Sequence, residues 1–387
     1  MKNTQSKSRM NEKTTKINPF DKLPSELITN IFTKLPVKSM LKARSICKEW
    51  NSIITHQDFT SLHLQLQPQP RNHFLCRQRE QGALAIRRTD SFTQVDQLIT
   101  PEIFQDTVVT RVASYVNGVL LMYTTIPKHE TDNSEIILWN PSIRKMLGIP
   151  CFIPGGWDYR VKFGFGFDSV SRAYKVVSVC SVRFLSRTKV YSLRNRLWLN
   201  PKQRKPANPA VYFNVFAMPM NFDNEIYWLG SVKSSNTTKL THFLCFDLDK
   251  EAFTSMKCPD IEVKAEERYL MRCSAVLDNA LAILDCYGNP DGQHGSVWKG
   301  VKSSSGSDLV WTKQYKLDVT NNVARGLSRH KVEMWFRNIP KGSISDDDLE
   351  NHEDELKALS DVIWVRIKFL DRYVESLVLL LEGNNIE

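Results

Sequence analysis

Apolar residues recur at helical spacing in one short part of the chain, residues 20–56. A first series steps by three or four positions and consists of Leu23, Leu27, Ile28, Ile31, Phe32 and Leu35. Pro24 suits the first turn of a helix, and Pro36 ends that helix because it disfavours helical geometry in the residue before it. A second series follows at Met40, Ala43, Cys47, Trp50 and Ile54. The pattern predicts two or three short helices in this segment.

This helical segment carries more apolar positions than one helical hairpin can cover. A unit as small as residues 20–56 buries too little surface to be comfortable alone. The surplus apolar surface must therefore pack elsewhere. Either the helices form a cap on the following domain, or they form a module that docks onto another protein.

The pattern changes after residue 64. The stretch LQLQPQPRN, residues 64–72, has two prolines and little periodicity, which indicates a domain boundary. Beyond it, runs rich in β-branched and aromatic residues alternate with turn residues and predict strands. Residues 135–150 and 242–259 share one order of strand, turn, charged residue, strand and proline, as a repeated unit would. We therefore expect an α+β chain of several domains, with the helices followed by a mainly-β, propeller-like domain whose closure protects strand edges.

Composition narrows the class of protein. Of the 387 residues, 42% are hydrophobic and 24% are charged, which is typical of a globular chain. The longest apolar runs fall well short of the ~20 residues that a membrane helix needs, and the N-terminus has no apolar signal-peptide core. The eight cysteines include no Cys-x-x-Cys pair, so free thiols in a reducing compartment fit best. We expect a soluble protein of the cytoplasm or nucleus, without a membrane partner.

Charge is distributed unevenly along the chain. Lys and Arg total 52 against 42 acids, a net charge of +10 that permits nucleic acid, an anionic surface or an acidic protein as partner. Residues 1–18 hold five basic groups and one acid; we interpret them as a disordered basic tail, with a nuclear-import signal as the alternative. Residues 346–355 hold seven acids. A solvated surface segment is the favoured interpretation there, and a binding loop or an intramolecular partner for a basic patch is the alternative.

Residues 181–205 form a second basic segment, with eight cations, no acid and three interleaved aromatic residues. Its cations are Arg183, Arg187, Lys189, Arg194, Arg196, Lys202, Arg204 and Lys205. Cations with aromatics can bind nucleic acid through phosphate contacts and base stacking. We favour a hairpin whose aromatics face the core and whose charges face water, and an acidic peptide competes with RNA as its ligand. No phosphate-binding loop, metal-binding helix or nucleophile elbow occurs, so we expect no enzyme activity, cofactor or metal.

Residues 23–50 resemble an F-box, the docking module of cullin–RING ubiquitin ligase receptors. The matching positions are Leu23, Pro24, Leu27, Ile31, Leu35, Pro36, Val37, Ser39, Leu41, Arg44, Cys47, Lys48 and Trp50. The rest resembles the F-box-associated domain of the large plant F-box family, in pieces that include LWNPSIRKMLGIP (138–150), FGFGFDSVSRAYKVV (163–177) and YVESLVLL (373–380). The resemblance divides the chain into a tail (1–18), a three-helix F-box (19–64) and an all-β recognition domain (65–387).

The resemblance implies a function. The F-box positions given above, apart from Ser39, would bind a Skp-type adaptor, which links to cullin and RING subunits. The β-domain would present an unidentified target protein for ubiquitination. Adaptors of that class are acidic, and residues 21–56 carry six basic and three acidic groups. The net positive charge of this segment favours electrostatic steering towards such an adaptor. The alternative is an adaptor-bound scaffold or nucleic-acid-associated protein that acts outside a ligase through the 181–205 segment.

Overall fold

The computed structural model describes residues 23–67, 73–78, 84–88, 93–99, 110–124, 136–150, 161–180, 188–202, 211–213, 219–232, 242–260, 268–277, 280–289, 292–303, 309–319 and 367–379. The chain separates into two compact units, Met1–Pro68 and Gln69–Glu387. The predicted basic tail and the acidic segment 346–355 lie outside the described residues. In the described part, no helix is long and apolar enough to cross a membrane.

The first unit is helical. Its helices are α1 Ser25–Phe32, α2 Val37–Ala43, α3 Lys48–Thr55 and α4 Gln57–Leu66. Pro24 and Pro36 stand directly before α1 and α2, as their lack of an N–H group allows. The helices predicted within residues 20–56 are present as α1 to α3, and the predicted F-box bounds, 19–64, take in most of a fourth helix, α4, which buries only Phe59 and His63 towards the core. A histidine at one of two core positions hides the apolar spacing that reveals α1 to α3.

The second unit is a β-propeller with five blades. In chain order its strands are β1 His73–Gln78, β2 Leu84–Arg88, β3 Gln94–Leu98, β4 Thr110–Val116, β5 Val119–Thr124, β6 Ile136–Asn140, β7 Lys145–Ile149, β8 Val161–Asp168, β9 Ala173–Cys180, β10 Lys189–Ser192, β11 Leu197–Leu199, β12 Val211–Phe213, β13 Met220–Phe222, β14 Glu225–Val232, β15 His242–Asp247, β16 Ala252–Lys257, β17 Arg268–Leu277, β18 Ala280–Asn289, β19 Gly292–Lys302, β20 Leu309–Val319 and β21 Ile367–Arg372. The predicted α+β order, short helices followed by a propeller-like domain, is confirmed.

Each blade is an antiparallel sheet. Blade 1 is β21-β1-β2-β3, blade 2 is β4 to β7, blade 3 is β8 to β11, blade 4 is β12 to β16, and blade 5 is β17 to β20. Among the described strands, the last, β21, thus pairs with the first, β1, and closes the propeller. In blade 4, β12 and β13 pair with the two ends of β14, so that the inner strand of this blade is made of two short pieces.

Neighbouring blades are held together by apolar side chains between their faces. Leu75, Leu120 and Trp139 pack between blades 1 and 2. Gly164 in β8 lets blade 3 approach blade 4, since a Cβ atom there would lie 2.5 Å from Cζ2 of Trp228. The glycines of the FGFG run therefore permit close sheet packing, as their alternation with buried phenylalanines predicts.

One turn recurs in the propeller and explains the repeated pattern in the sequence. Asn140, Asp168 and Asp247 each end a strand and accept a hydrogen bond from the N–H two residues on, at 2.9–3.0 Å. The fourth residue after each has positive φ, at Arg144, Arg172 and Glu251. The two similar segments in the sequence, 135–150 and 242–259, contain the third and fourth strands of blades 2 and 4, β6–β7 and β15–β16. They are equivalent hairpins of one repeated unit.

Candidate adaptor-docking and target-binding surfaces

One face of α1 is apolar and exposed. Leu27 and Ile31 lie one helical turn apart, and 50% and 49% of their surfaces are accessible. On the other side of the helix, the buried Phe32 ring meets the edge of Trp50, with ring centroids 4.9 Å apart. Phe59 of α4 also packs against the Phe32 ring. The core of the unit therefore fixes the helix and leaves its apolar face uncovered.

The other predicted adaptor positions divide into exposed and structural residues. Pro24, Pro36 and Lys48 are exposed, and Leu23, Leu35, Leu41, Arg44, Cys47 and Trp50 are half-buried. Val37 is 1% exposed, so this side chain belongs to the core of the unit.

Three of the predicted positions make contacts that support the helices themselves. Cys47 Sγ accepts a hydrogen bond from the Trp50 N–H at 3.5 Å and so caps α3. Arg44 Nε donates to Asn51 Oδ1 at 3.1 Å. The Cys47 bond fixes the start of α3 and the Arg44 bond connects α2 to α3, so both side chains can position the docking surface in addition to any direct contact.

Sequence reasoning missed other apolar groups on this unit. Ile46, with 59% of its surface exposed, follows α2 in a turn, and Leu62 and Leu66 are exposed on α4. Ile46 stands beside the second apolar series in the sequence, but only the turn geometry decides that it faces outward. The first unit therefore exposes more apolar surface than the residues predicted from the resemblance.

His63 is a buried polar residue of the helical unit, as are Thr33 and Gln67. Its side chain is fully buried, and Nε2 lies 2.8 Å from the carbonyl oxygen of Leu35. Because a carbonyl accepts only, Nε2 must carry the proton. Nδ1 has no hydrogen-bond partner among the described residues. Burial lowers the pKa of His63, and the hydrogen bond to Leu35 opposes that shift.

The predicted basic hairpin is formed by β10 and β11. Tyr191 is buried and lies 5.3 Å from the Trp198 ring, whose Nε1 donates to the carbonyl of Pro150. Arg194, Arg196 and Lys202 are exposed, Lys189 is half-buried, and Arg183, Arg187, Arg204 and Lys205 lie outside the described residues. A buried tyrosine and an engaged indole fit a hairpin with a basic outer face better than a platform for stacked bases.

A second group of cations lies where the inner strands β4 and β8 begin. Arg111 stands opposite Tyr123 in the β4–β5 ladder. The Tyr123 ring meets Phe163 of β8, with centroids 5.0 Å apart, which puts the starts of the two strands side by side. Lys162, the residue before Phe163, is 8% exposed. Burial, reinforced by the nearby Arg111 guanidinium, lowers the pKa of Lys162 to about 8.

Lys175 is a second buried lysine, and its ammonium group is paired with carboxylates. Lys175 Nζ lies 2.9 Å from Asp168 Oδ2, 3.0 Å from Glu251 Oε1 and 2.6 Å from the carbonyl of Leu248. Burial opposes the charge of Lys175, but the hydrogen bonds to the two carboxylates outweigh it and raise the pKa. Lys162 has no ion pair or side-chain hydrogen bond with any residue that the structure describes.

The four-helix unit with its exposed apolar helix, followed by a five-bladed propeller, is the architecture of an F-box protein. The family model of the F-box domain matches residues 20–62, and the family model of the F-box associated beta propeller domain matches residues 73–378. The chain belongs to the F-box-associated β-propeller family. Proteins of this class are in general non-catalytic substrate-recognition subunits of SCF-type ubiquitin ligases that bind a Skp-type adaptor.

The similar curated proteins are F-box proteins of Arabidopsis thaliana. The F-box/LRR-repeat protein At2g43260 is 23% identical, over 95% of this chain and 85% of that protein. The F-box protein At3g07870 is 26% identical, over 84% of this chain and 79% of its own length. The F-box protein CPR1 is 23% identical, over 78% and 74%. The resemblance to plant F-box proteins is thus confirmed.

The solved structures that match are more distant. The GH43 protein BlXynB from Bacillus licheniformis is 10% identical with a TM-score of 0.32, and the match covers 63% of this chain and 54% of that one. Hsv2 from Kluyvelomyces marxianus is 9% identical with a TM-score of 0.28, over 65% and 83%. The chain spans about half of the glycoside hydrolase, and similarity at this level carries no argument about function.

Proposed function

We propose that this chain is the substrate receptor of an SCF-type ubiquitin ligase, and that α1 inserts its Leu27–Ile31 face into a groove of a Skp-type adaptor. The observation that carries the proposal is the exposure of these two side chains on a helix that is fixed from behind by Phe32 and Trp50. An amphipathic helix with anchors one turn apart is a common way to occupy an apolar groove. Through the adaptor, the receptor joins cullin and RING subunits.

The energy available from this face is sufficient for a specific contact. Full burial of a leucine or isoleucine side chain is worth ~1.5–3 kcal/mol. Half of each side chain is still accessible, so Leu27 and Ile31 together can contribute roughly 2–3 kcal/mol on docking. Ile46, if it joins the same interface, adds to this. Removing the two anchors and replacing them with charge therefore weakens binding by at least about a hundredfold, since ~1.4 kcal/mol is a factor of ten.

The test is a binding measurement with the full chain, a Skp-type adaptor and cullin. The variant Leu27→Asp with Ile31→Asp should lose both partners, because a carboxylate in an apolar groove is left unpaired. The matched control is Leu197→Asp with Leu199→Asp on β11, where the exposed fractions are similar, 60% and 49%. This control adds the same charge to the propeller and should leave adaptor binding unchanged.

The outcomes are distinct. Binding of adaptor and cullin that is lost only in the α1 variant supports the receptor role. Adaptor binding without cullin would favour the scaffold role. If a folded chain binds neither protein, or if the α1 variant binds both as well as the unmodified chain does, the proposal fails.

A further inference from the structure

We propose that the propeller binds an acidic peptide segment of its target protein at the cation pair Arg111–Lys162, where β4 and β8 begin. This inference rests on the proposed function and deepens it, because it names the chemistry that the receptor recognises. The ligand group is a carboxylate or phosphate on a peptide side chain. Three observations support it: the position of the two cations, the burial of Lys162 and the lack of a counter-charge among the residues that the structure describes.

The two cations come from adjacent inner strands at the same level. Ser114 Oγ of β4 donates to the carbonyl of Phe165 in β8, and Asn221 of β13 donates to the same Ser114 hydroxyl. Three residues earlier along each strand stand Arg111 and Lys162. Strands that rise by ~3.3 Å per residue bring these two residues to one end of the inner strands, about 10 Å from the Ser114 contact.

The burial of Lys162 is the observation that points to a ligand. A lysine with only 8% of its surface exposed normally keeps a partner, as Lys175 does with its two carboxylates. Lys162 has no such partner in the described part of the chain, where the like charge of Arg111 acts on it instead. An anionic group bound at Lys162 would supply the missing partner through a charge-assisted hydrogen bond, and it would also offset the like charge of Arg111.

The form of the site favours a peptide side chain over nucleic acid. Strong nucleic-acid binding needs a row of phosphate contacts along an exposed groove. Here one exposed arginine stands beside one recessed lysine, with the Tyr123 ring buried next to them. A single recessed cation beside an exposed one suits a single carboxylate or phosphate group that enters end-on.

The experiment measures peptide binding to the full chain by calorimetry. The probes are a peptide of alternating Glu and Gly, its phosphoserine counterpart and its Gln counterpart. We expect the Glu or the phosphoserine peptide to bind and the Gln peptide not to bind. Whichever of the first two binds more tightly shows whether the ligand group is a carboxylate or a phosphate. Lys162→Met and Arg111→Gln should each weaken binding at least tenfold. The matched control Lys257→Met removes one charge from a lysine that is 62% exposed, and should change affinity less than twofold.

Several results would overturn the inference. Equal binding of the acidic and Gln peptides, or unchanged binding in both variants, would remove the site. Binding of single-stranded RNA at this site with a steep salt dependence, in place of the peptides, would make it a nucleic-acid site. If the peptides bind only after the seven acids of residues 346–355 are replaced by amides, the ligand is the chain's own segment and the external partner is wrong.

The two proposals fail separately. Adaptor binding is measured on the same samples, and Lys162→Met and Arg111→Gln should retain it. An unmodified chain that binds the adaptor but neither acidic peptide refutes this inference alone, whereas a chain that binds peptide and no adaptor refutes the receptor role. Arg111 is exposed, so Arg111→Gln remains an informative variant if Lys162→Met should not fold.

Discussion

Replacing Lys162 with methionine should make the propeller more stable, although it removes a side chain from the proposed binding site. Methionine keeps most of the apolar stem of lysine and its packing, and it carries no charge. The folded protein holds the Lys162 ammonium in a buried position that has no counter-charge among the described residues. Removing that charge removes a cost and breaks no described contact.

The size of the effect follows from the pKa. Folding lowers the pKa of Lys162 from 10.5 to about 8, and one pKa unit corresponds to ~1.4 kcal/mol. The full cost of holding the charge at pH 7 is therefore roughly 3 kcal/mol. Solvent that reaches the end of the side chain screens part of it, so we expect Lys162→Met to raise the free energy of unfolding by about 1–2 kcal/mol.

The pH dependence provides the sharper check. Between pH 8 and 10.5 the unfolded chain binds more protons at this lysine than the folded chain, so the stability of the unmodified protein rises with pH. The cost is fully present below pH 8 and is gone above 10.5. The advantage of Lys162→Met should therefore shrink to about 0.6–0.8 kcal/mol near pH 10.

Urea denaturation at pH 7 and near pH 10, followed by tryptophan fluorescence, measures this difference. The slope of the free energy against urea should be the same in both proteins, since the surface exposed on unfolding is unchanged. Lys257→Met, at a 62% exposed lysine, should change stability by less than about 0.5 kcal/mol at either pH. A Lys162→Met protein that is less stable at pH 7 would show that an acceptor already pairs with this lysine, and the reasoning would be refuted.

Three further predictions concern packing and protonation, and the first two are measured as changes in the urea midpoint. Gly164→Ala should cost about 1–3 kcal/mol, because its Cβ would lie 2.5 Å from the Trp228 ring, whereas Gly148→Ala, with open space around it, should be neutral or slightly stabilising. Asn140→Ala should cost roughly 2–4 kcal/mol, because the buried amide nitrogen donates to the carbonyls at 376 and 378 and their orphaned oxygens would stay buried. Acid should loosen α4, because burial lowers the pKa of His63 in the folded state: the stability it supports is complete above the unfolded value of 6.5 and is lost as the pH falls below it. Amide-exchange protection factors of α4 near pH 5.5 and pH 7.5 test this, and unchanged protection, or the same loss in His63→Gln, would contradict it.

The helical unit could be predicted from the sequence as far as its elements follow local apolar spacing. Helices α1 to α3 obey that spacing, and the prolines before α1 and α2 mark their starts. Helix α4 was missed because one of its two core positions is His63. That residue is acceptable in the core because the Leu35 carbonyl, 28 residues away, accepts a hydrogen bond from its Nε2–H. No local pattern contains this information.

The propeller could be predicted as a class, and its blade count could not. Strand runs and the paired segments at 135–150 and 242–259 are local features, and they correctly indicate a repeated β-hairpin. The closure of blade 1 joins β1 to β21 across most of the chain, and only the ladder between Phe74 and Arg372 reveals it. The backbone geometry of the turns also escapes the sequence, because non-glycine residues such as Arg144 and Glu251 occupy the positive-φ positions.

The Arg111–Lys162 site could not be predicted either, because it too depends on residues that are far apart in the sequence. Lys162 stands in an alternating strand pattern beside Phe163, where a lysine is expected to face water. The propeller topology brings Arg111 near Lys162 from a different blade and buries Lys162. The cations of the basic segment 181–205 are close together in sequence and are therefore easy to recognise. Those that the structure describes are nevertheless exposed or hydrogen-bonded on an outer hairpin.

The two proposed binding sites share one physical property: each is a place where the chain departs from the rules that stabilise it. Leu27 and Ile31 leave apolar surface in water on a helix whose other side is well packed. Lys162 places a cation in a low-dielectric position with no described counter-charge, at a cost that the rest of the propeller must offset. A sequence free to optimise stability would replace all three residues. Their presence is explained if an adaptor covers the first two and an anionic group of a target neutralises the third.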